Sequence, residues 1–382
     1  MNIIKPDIVI INGKCYPLHS DGGTAITTFE IASQLAKSGY KVLVLVPNNN
    51  YIDQIIISNN FYILYVGLLR FAYTLLQIRM HNKRTVVLLN SAFQIYGTIY
   101  YIIFQVLNKD NITYCAAHGS YDKKLMQRSS KKMAWLSFID KRILRLSKQY
   151  LANSLGEIKN MQFQAYREIE DRFYIVENKP PLHMFVYDLK ISKDKKIQPD
   201  KSIIQKKPYI LYLGRVVPKK RLFETITLLE ASGWFSEGLL WVVEVNSDQK
   251  YLDKIIDLIS EKALRKKVII TRNGLTGIQK WFAIYNSSAS ILLSESEGLP
   301  MFLLESKMLG VPVMYTMECN YTPVESDILI RSDLGQCGGI IPLPRVKLTG
   351  DNMSISDMES KLKSVKIDNE WKLPDFNIKS LM

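Results

Sequence analysis

Short apolar runs rich in β-branched residues alternate from end to end with longer stretches of helical period. In the first half, Ile8–Ile11, Val42–Val46, Tyr62–Val66, Thr85–Leu89, Thr113–Ala117, Tyr150–Leu151 and Tyr174–Val176 read as strands. Between them, Thr24–Ser38, Phe93–Leu107 and Lys131–Leu146 carry apolar residues at helical spacing. The second half repeats the scheme. Strands are expected at Tyr209–Leu213, Leu240–Val245, Lys267–Ile270, Ala289–Leu293 and Val313–Tyr315, and helices at Leu222–Ala231, Leu252–Ala263, Ile278–Tyr285 and Met301–Leu309. Such alternation predicts an α/β protein with helices layered on parallel sheets.

At 382 residues the chain is too long for one ordinary core and suits two domains. Asp188–Lys207 is rich in Lys, Asp, Ser and Gln and nearly free of aromatics, so it reads as the linker. The expected organisation is a first α/β domain over 1–187, the linker over 188–207, a second α/β domain over 208–345 and a tail over 346–382. The tail holds one helix-like stretch, Ile355–Leu362, and then Trp371 and Phe376, which are expected to dock back on the first domain.

Apolar and charged contents of 47% and 23% are those of a soluble globular protein. The net charge of +14 is high for a small-molecule enzyme and calls for an anionic partner: nucleic acid, an acidic membrane surface or a phosphorylated substrate. Cys15, Cys115, Cys319 and Cys337 are scattered, and His19, His81, His118 and His183 lack ligand spacing, so free thiols and no zinc are expected. The N-terminal residues show no signal-peptide pattern, so a cytoplasmic location is expected. The longest apolar run, Ile95–Leu107, is interrupted by Gly97, Thr98 and Gln105 and is too short for a span of about 20 residues.

The densest chemistry lies between Ser294 and Val313. An apolar strand delivers Glu297 to a sheet's carboxyl edge, where open α/β sheets bind ligands, and Glu305 falls about one turn inside the following helix. Pro300 suits the start of that helix, whose free N–H groups favour an anion. At the head of the second domain, Gly214-Arg215 follows a buried strand, with Lys219 and Lys220 just beyond, so a planar fork and a point charge can meet one phosphate. A solvated basic turn is the plainer reading. In the first domain, Ser20-Asp21-Gly22-Gly23-Thr24-Ala25 precedes a helix, and paired glycines let backbone approach an anion, although Gly-Gly also serves as a simple turn. His118 ends a strand and is expected to face an inter-domain cleft, or else to be structural. Lys123–Lys148 interleaves basic residues with Trp135, Leu136 and Phe138, as a helix lying on an anionic membrane would, or one whose apolar side enters the core.

Together these stretches resemble the retaining glycosyltransferases of family 4, which have the GT-B fold of two Rossmann-like domains. The resemblance runs from Ile8 to about Leu343 and is carried by Glu297–Glu305 with Gly310-Val-Pro-Val313, by Gly214-Arg215 with Lys220, by Gly22-Gly23, by Leu35–Val42 and by Asn178. It implies transfer of a sugar from a nucleotide diphosphate donor to an acceptor hydroxyl with retained configuration. Arg215 and Lys220 would clamp the diphosphate and stabilise leaving-group charge. Glu305 would accept the ribose hydroxyls, while Glu297, Gly298, Leu299 and Met301 would hold the donor. Gly23 would approach its phosphate, Asp21 and Gly22 would lie on the acceptor side, and His118 would contact the transferred sugar. No metal or other cofactor is expected, and no Asp-x-Asp motif occurs in the chain.

The expected partners are a nucleotide sugar, a saccharide or polyprenyl-linked acceptor of surface polysaccharide (O-antigen or capsule-like), lipopolysaccharide or glycolipid assembly, and the inner face of the cytoplasmic membrane. Competing readings are a nucleotide-sugar 2-epimerase of the same fold, a catalytically inactive sugar-nucleotide binder and a nucleic-acid-binding protein. The last lacks any recognisable module in the sequence, so no nucleic-acid partner is expected.

Overall fold

The computed structural model describes residues 5–17, 22–47, 53–67, 85–90, 112–116, 118, 149–160, 173–197 and 208–330, with isolated positions at 71, 73, 74, 78, 99, 101–103, 106, 147, 357, 358 and 360. The chain divides into two units, Met1–Asn178 with Glu370–Met382, and Lys179–Asn369.

In the first unit the described strands are β1 (Ile8–Ile11), β2 (Val42–Pro47), β3 (Asp53–Ser58), β4 (Phe61–Val66), β5 (Val86–Leu89), β6 (Ile112–Ala116), β7 (Gln149–Ala152) and β8 (Phe173–Ile175), with helices α1 (Gly23–Lys37) and α2 (Leu155–Asn160). They form an eight-stranded sheet in the order β3-β4-β2-β1-β5-β6-β7-β8. Every pairing is parallel except that of the edge strand β3 with β4. The centre is β1, whose Ile8, Val9, Ile10 and Ile11 are wholly buried, as expected of a parallel strand covered on both faces. Chain order reverses between β1 and β5, so their carboxyl ends flank the crevice in which such sheets hold ligands. Helix α1 covers this region through Phe29, which stacks edge-on against Tyr16 at 5.2 Å and tilts over Phe61 at 5.4 Å.

The second unit comprises α3 (Leu182–Asp194), β9 (Tyr209–Gly214), α4 (Leu222–Ala231), α5 (Trp234–Glu237), β10 (Leu239–Glu244), α6 (Gln249–Glu261), β11 (Val268–Thr271), α7 (Gly277–Tyr285), β12 (Ala289–Leu292), α8 (Met301–Met308), β13 (Val313–Thr316) and β14 (Ile328–Ile330). Its six strands run β11-β10-β9-β12-β13-β14, all parallel. Counted within the unit, this is the doubly wound dinucleotide order, and the reversal lies between β9 and β12. Helix α6 shows how local sequence sets an element. Asp248 caps it by accepting from Tyr251 N at 3.1 Å, and Leu252, Ile255, Leu258 and Ile259 form the buried stripe. Trp234, Trp241 and Trp281 fill the core with every indole N–H bonded, to the Leu239 carbonyl, Thr271 Oγ1 and Asp188 Oδ2 respectively.

The strands expected in the second half are all present, shifted by a residue at most. The edge strands β3 and β14 were not foreseen. The expected linker at Asp188–Lys207 needs correction, because its first part is the end of α3 and the second unit begins at Lys179. Pro181 caps this helix, and Met184, Phe185, Asp188, Leu189 and Ser192 form a buried face against α7. Phe185 meets the Trp281 ring edge-on at 5.0 Å, and Asp188 accepts its indole proton at 2.7 Å. A polar composition thus conceals a helix whose one charged inward residue has a partner. The helix expected at Lys131–Leu146 lies outside the described residues. Of Phe93–Leu107 and Ile355–Leu362 only isolated helical positions are described. No helix among the described residues is long and apolar enough to cross a membrane.

Candidate functional site

The second unit's site grows from the paired carboxyl ends of β9 and β12. Strand β9 ends in Gly214, whose φ of 152° a side chain rarely adopts, and a Cβ there would lie 3.6 Å from Lys220 Nζ. The loop from Arg215 to Lys220 is tied on one side by Val216 N donating to Ser247 Oγ at 2.9 Å and by Val245 N donating to the Gly214 carbonyl at 3.1 Å. On the other side Glu295 N donates to the Lys219 carbonyl at 2.9 Å. These bonds hold Lys220 against the loop after β12, where its ammonium is 3.5 Å from Glu297 Oε1. The same oxygen accepts from Ser294 Oγ at 2.8 Å. The Glu297 backbone is fixed as well: its N–H donates to the Glu318 carbonyl at 2.9 Å, and its own carbonyl accepts from Asn320 Nδ2 at 2.6 Å.

Burial alone would push the Glu297 carboxyl up, but Lys220, Lys219 and the Ser294 hydroxyl together outweigh it, and the group lies below the usual carboxylate range. Arg215 is exposed on the same loop, its carbonyl accepting from the Tyr212 hydroxyl at 2.9 Å. Arg221, which follows Lys220, holds a left-handed conformation (φ 50°, ψ 44°) at the cap of α4, with Nε 3.7 Å from Glu295. This unit thus brings Arg215, Lys220 and Glu297 to one switch point.

Gly298 and Leu299 lead into α8, which is capped by Pro300 (φ −73°, ψ 126°) and begins at Met301. Glu305 lies one turn inside α8, as its spacing implied, and there it is buried. It is 2% exposed, and Lys280 Nζ on α7 donates to its Oε1 at 2.9 Å. The Lys280 ammonium also lies 4.4 Å from the Trp281 ring centroid. Sequence reasoning missed Lys280 because an isolated lysine in an amphipathic helix reads as a solvated residue.

In the first unit Gly22 caps α1 with φ 112°, and Gly23 is the first helical residue. The glycine cap offers no side-chain acceptor, and the Ala25 N–H of the first turn donates to the Gly22 carbonyl at 3.1 Å. Asp21 and all of Lys123–Lys148 except Ser147 lie outside the described residues. His118 sits just beyond β6 in a left-handed conformation (φ 46°). Its Nε2 is 2.8 Å from Asn90 Oδ1, and its Nδ1 is 3.2 Å from Asn153 Nδ2. Neither asparagine was singled out from the sequence, although each directly ends a strand. Among the described residues no three of His, Cys, Asp and Glu come together as a metal site.

Burial lowers the His118 pKa from 6.5 to about 4. The unfolded chain therefore binds a proton below about pH 6.5 that the folded chain refuses until about pH 4, so stability falls as pH drops through this window. At about 1.4 kcal/mol per pH step, the expected loss from His118 is about 2 kcal/mol at pH 5 relative to pH 7.5. Urea unfolding of the wild type and His118→Asn at both pH values checks this. An equal acid loss in the two proteins would assign it to other groups.

A doubly wound unit with cations and a carboxylate at its switch point has the chemistry to meet a phosphorylated, hydroxyl-bearing ligand. Residues 193–327 match the family model of glycosyl transferases group 1. Among solved structures, the chain is similar to a sucrose-phosphate synthase from Thermosynechococcus elongatus, at 16% identity and TM-score 0.60, covering 94% of each chain. It is also similar to WaaG, a glycosyltransferase involved in lipopolysaccharide biosynthesis, at 17% identity and TM-score 0.56, covering 93% of this chain and 94% of that one. A third similar structure is Anabaena HepE in complex with UDP-glucose, at 13% identity and TM-score 0.57, covering 94% of this chain and 97% of that one. No curated protein matches the sequence. The fold is GT-B, the second unit carries a group 1 glycosyl transferase domain, and the chain is a glycosyltransferase.

Proposed function

We propose that this glycosyltransferase is a retaining enzyme of the family 4 type. It moves a sugar from a nucleotide diphosphate donor to a saccharide or polyprenyl-linked saccharide in surface polysaccharide or glycolipid assembly. The observation that carries this reading is the Lys220–Glu297 pair, 3.5 Å apart at the switch point between β9 and β12. Lys220 with Arg215 meets the donor diphosphate and stabilises the charge that develops on it as the glycosidic bond breaks. Glu297, kept ionised by its neighbours, accepts hydroxyls of the transferred sugar. Gly298, Leu299 and Met301 line the donor beside the start of α8, and Glu305 accepts ribose hydroxyls. With the phosphates met by side-chain cations, the reaction needs no divalent ion, and a donor oxygen takes the acceptor proton.

From the first unit, His118 is assigned to the transferred sugar, Gly23 to the donor phosphate, and Asp21 with Gly22 to the acceptor. The HepE structures in complex with UDP and with UDP-glucose support a nucleotide sugar donor. A thermal-shift panel of UDP, ADP and GDP sugars tests the assignment. At about 100 times Kd the true donor stabilises by about 2.7 kcal/mol, or roughly 5–10 °C. A panel in which no nucleotide sugar shifts the protein would reject the reading.

The basic segment Lys123–Lys148 supports a location at the cytoplasmic face of an anionic membrane, each basic residue adding about 1 kcal/mol near the surface. Flotation is expected to recover more protein with anionic than with neutral vesicles, and equal recovery removes this part of the proposal.

A further inference from the structure

Neighbouring strands β1, β5, β6 and β7 each end beside one member of a continuous hydrogen-bonded row. Its anchor is Thr28 on α1, whose hydroxyl donates to the Thr24 carbonyl at 2.8 Å and accepts from Asn12 Nδ2 at 2.6 Å and Asn90 Nδ2 at 2.7 Å. A hydroxyl has one proton and two lone pairs, so Thr28 is used in full. With Asn90 Nδ2 committed to Thr28, its Oδ1 faces His118 Nε2 at 2.8 Å. On the other side of the ring, Asn153 Nδ2 faces Nδ1 at 3.2 Å. The Asn153 backbone is itself fixed, since its N–H donates to Glu157 Oε2 at 2.6 Å while Glu157 N donates to Ser154 Oγ at 3.0 Å.

We infer that Asn90 and Asn153 are positioning residues that lock His118 as the neutral Nε2–H tautomer in a single ring orientation, with α1 as the anchor. The inference rests on the reading of His118 as the group that acts on the transferred sugar. Its logic is directional. An amide nitrogen donates and cannot accept, so the Nδ1 facing Asn153 must carry a lone pair. An amide oxygen accepts and cannot donate, so the Nε2 facing Asn90 must carry the proton. The opposite tautomer would set lone pair against lone pair and N–H against N–H. A second ring proton would point at the Asn153 amide hydrogens.

The left-handed backbone of His118 holds the ring from its other end (φ 46°). Burial also disfavours the charged ring. The consequence is chemical. An imidazolium beside an oxocarbenium-like sugar would oppose the developing positive charge, whereas a fixed neutral ring does not.

The test uses the full chain with 15N-labelled histidines, the His118 signals being identified by their loss in His118→Ala. At pH 6.5 the wild type is expected to show one protonated and one unprotonated ring nitrogen, with the proton on Nε2. Asn153→Asp sets a carboxylate opposite Nδ1 and should draw a proton there. The expected result is a kcat about 10–100-fold lower with the donor KM within about threefold, the mark of lost positioning. Asn90→Asp keeps an acceptor opposite Nε2, the Thr28 hydroxyl turning its proton from the Thr24 carbonyl to the new carboxylate, and should retain the wild-type signature. Averaged tautomers in the wild type, or the same spectrum from both aspartate variants, would overturn the inference, and the wild-type spectrum decides even where a variant fails to fold. An inactive His118→Ala beside an Asn153→Asp of full kcat overturns the inference alone. A fully active His118→Ala removes the assignment of His118 to the sugar, and the inference with it.

Discussion

Lys220→Ala is expected to lower kcat/KM for transfer by about 10²–10³-fold, the usual cost of removing one preorganised electrostatic partner of a developing charge. Its ammonium is aimed by the short turn after Gly214 and lies 3.5 Å from Glu297 Oε1. The same cation compensates Glu297 before the donor binds and meets the diphosphate as the bond to the sugar breaks. Losing it therefore has two effects. The leaving-group charge loses its counter-charge, and Glu297 loses the strongest influence opposing the upward push of burial. Its carboxyl then rises, so the acid limb of residual activity moves to higher pH than in the wild type. Melting temperature should fall by no more than about 5 °C, since the pair is one interaction at the edge of a large core. A pH series of kcat/KM with circular dichroism melting checks both effects. Turnover within a few-fold of wild type would place the diphosphate elsewhere.

The parts of the site visible in the sequence are those whose chemistry is local to a strand end. Gly214 ends β9, Arg215 and Lys220 lie in the loop after it, and Glu297 follows β12, so reading the strands also led to these residues. The parallel sheets were legible for a related reason: buried strands such as Ile8–Ile11 have no polar face to disguise them. What escaped depended on partners distant in sequence. Lys280 acquires meaning only because α7 lies beside α8 and brings it to Glu305. Asn12, Asn90 and Asn153 look like ordinary loop-starting residues until the strand order sets β1, β5, β6 and β7 side by side. Asp188 made a helix resemble a linker because its acceptor role for Trp281 is invisible in composition. Edge strands β3 and β14 escaped because edges bury less, and their patterns are correspondingly weaker.

The buried pair of Lys280 and Glu305 changes what substitution of Glu305 can reveal. Their side chains are 8% and 2% exposed and 2.9 Å apart, so removing either strips a buried charge of its ion-pair partner. Lys280→Met is expected to cost about 3–5 kcal/mol and to lower the melting temperature by roughly 10 °C. Glu305→Ala should cost a similar amount, so its loss of transfer would mix a damaged fold with a missing ribose acceptor. The double variant Lys280→Met with Glu305→Leu separates the two. An apolar pair of similar volume removes both charges and is expected to restore stability to within about 1–2 kcal/mol of wild type. If Glu305 accepts ribose hydroxyls, that stable double variant still binds the nucleoside diphosphate at least about tenfold more weakly, and it loses preference for ribose over 2′-deoxyribose. Urea unfolding gives the first quantity and calorimetric titration with each nucleotide the second. A double variant that regains stability and keeps full nucleotide affinity would make the pair a purely structural bolt between α7 and α8, and the ribose would then have to be read by a different group.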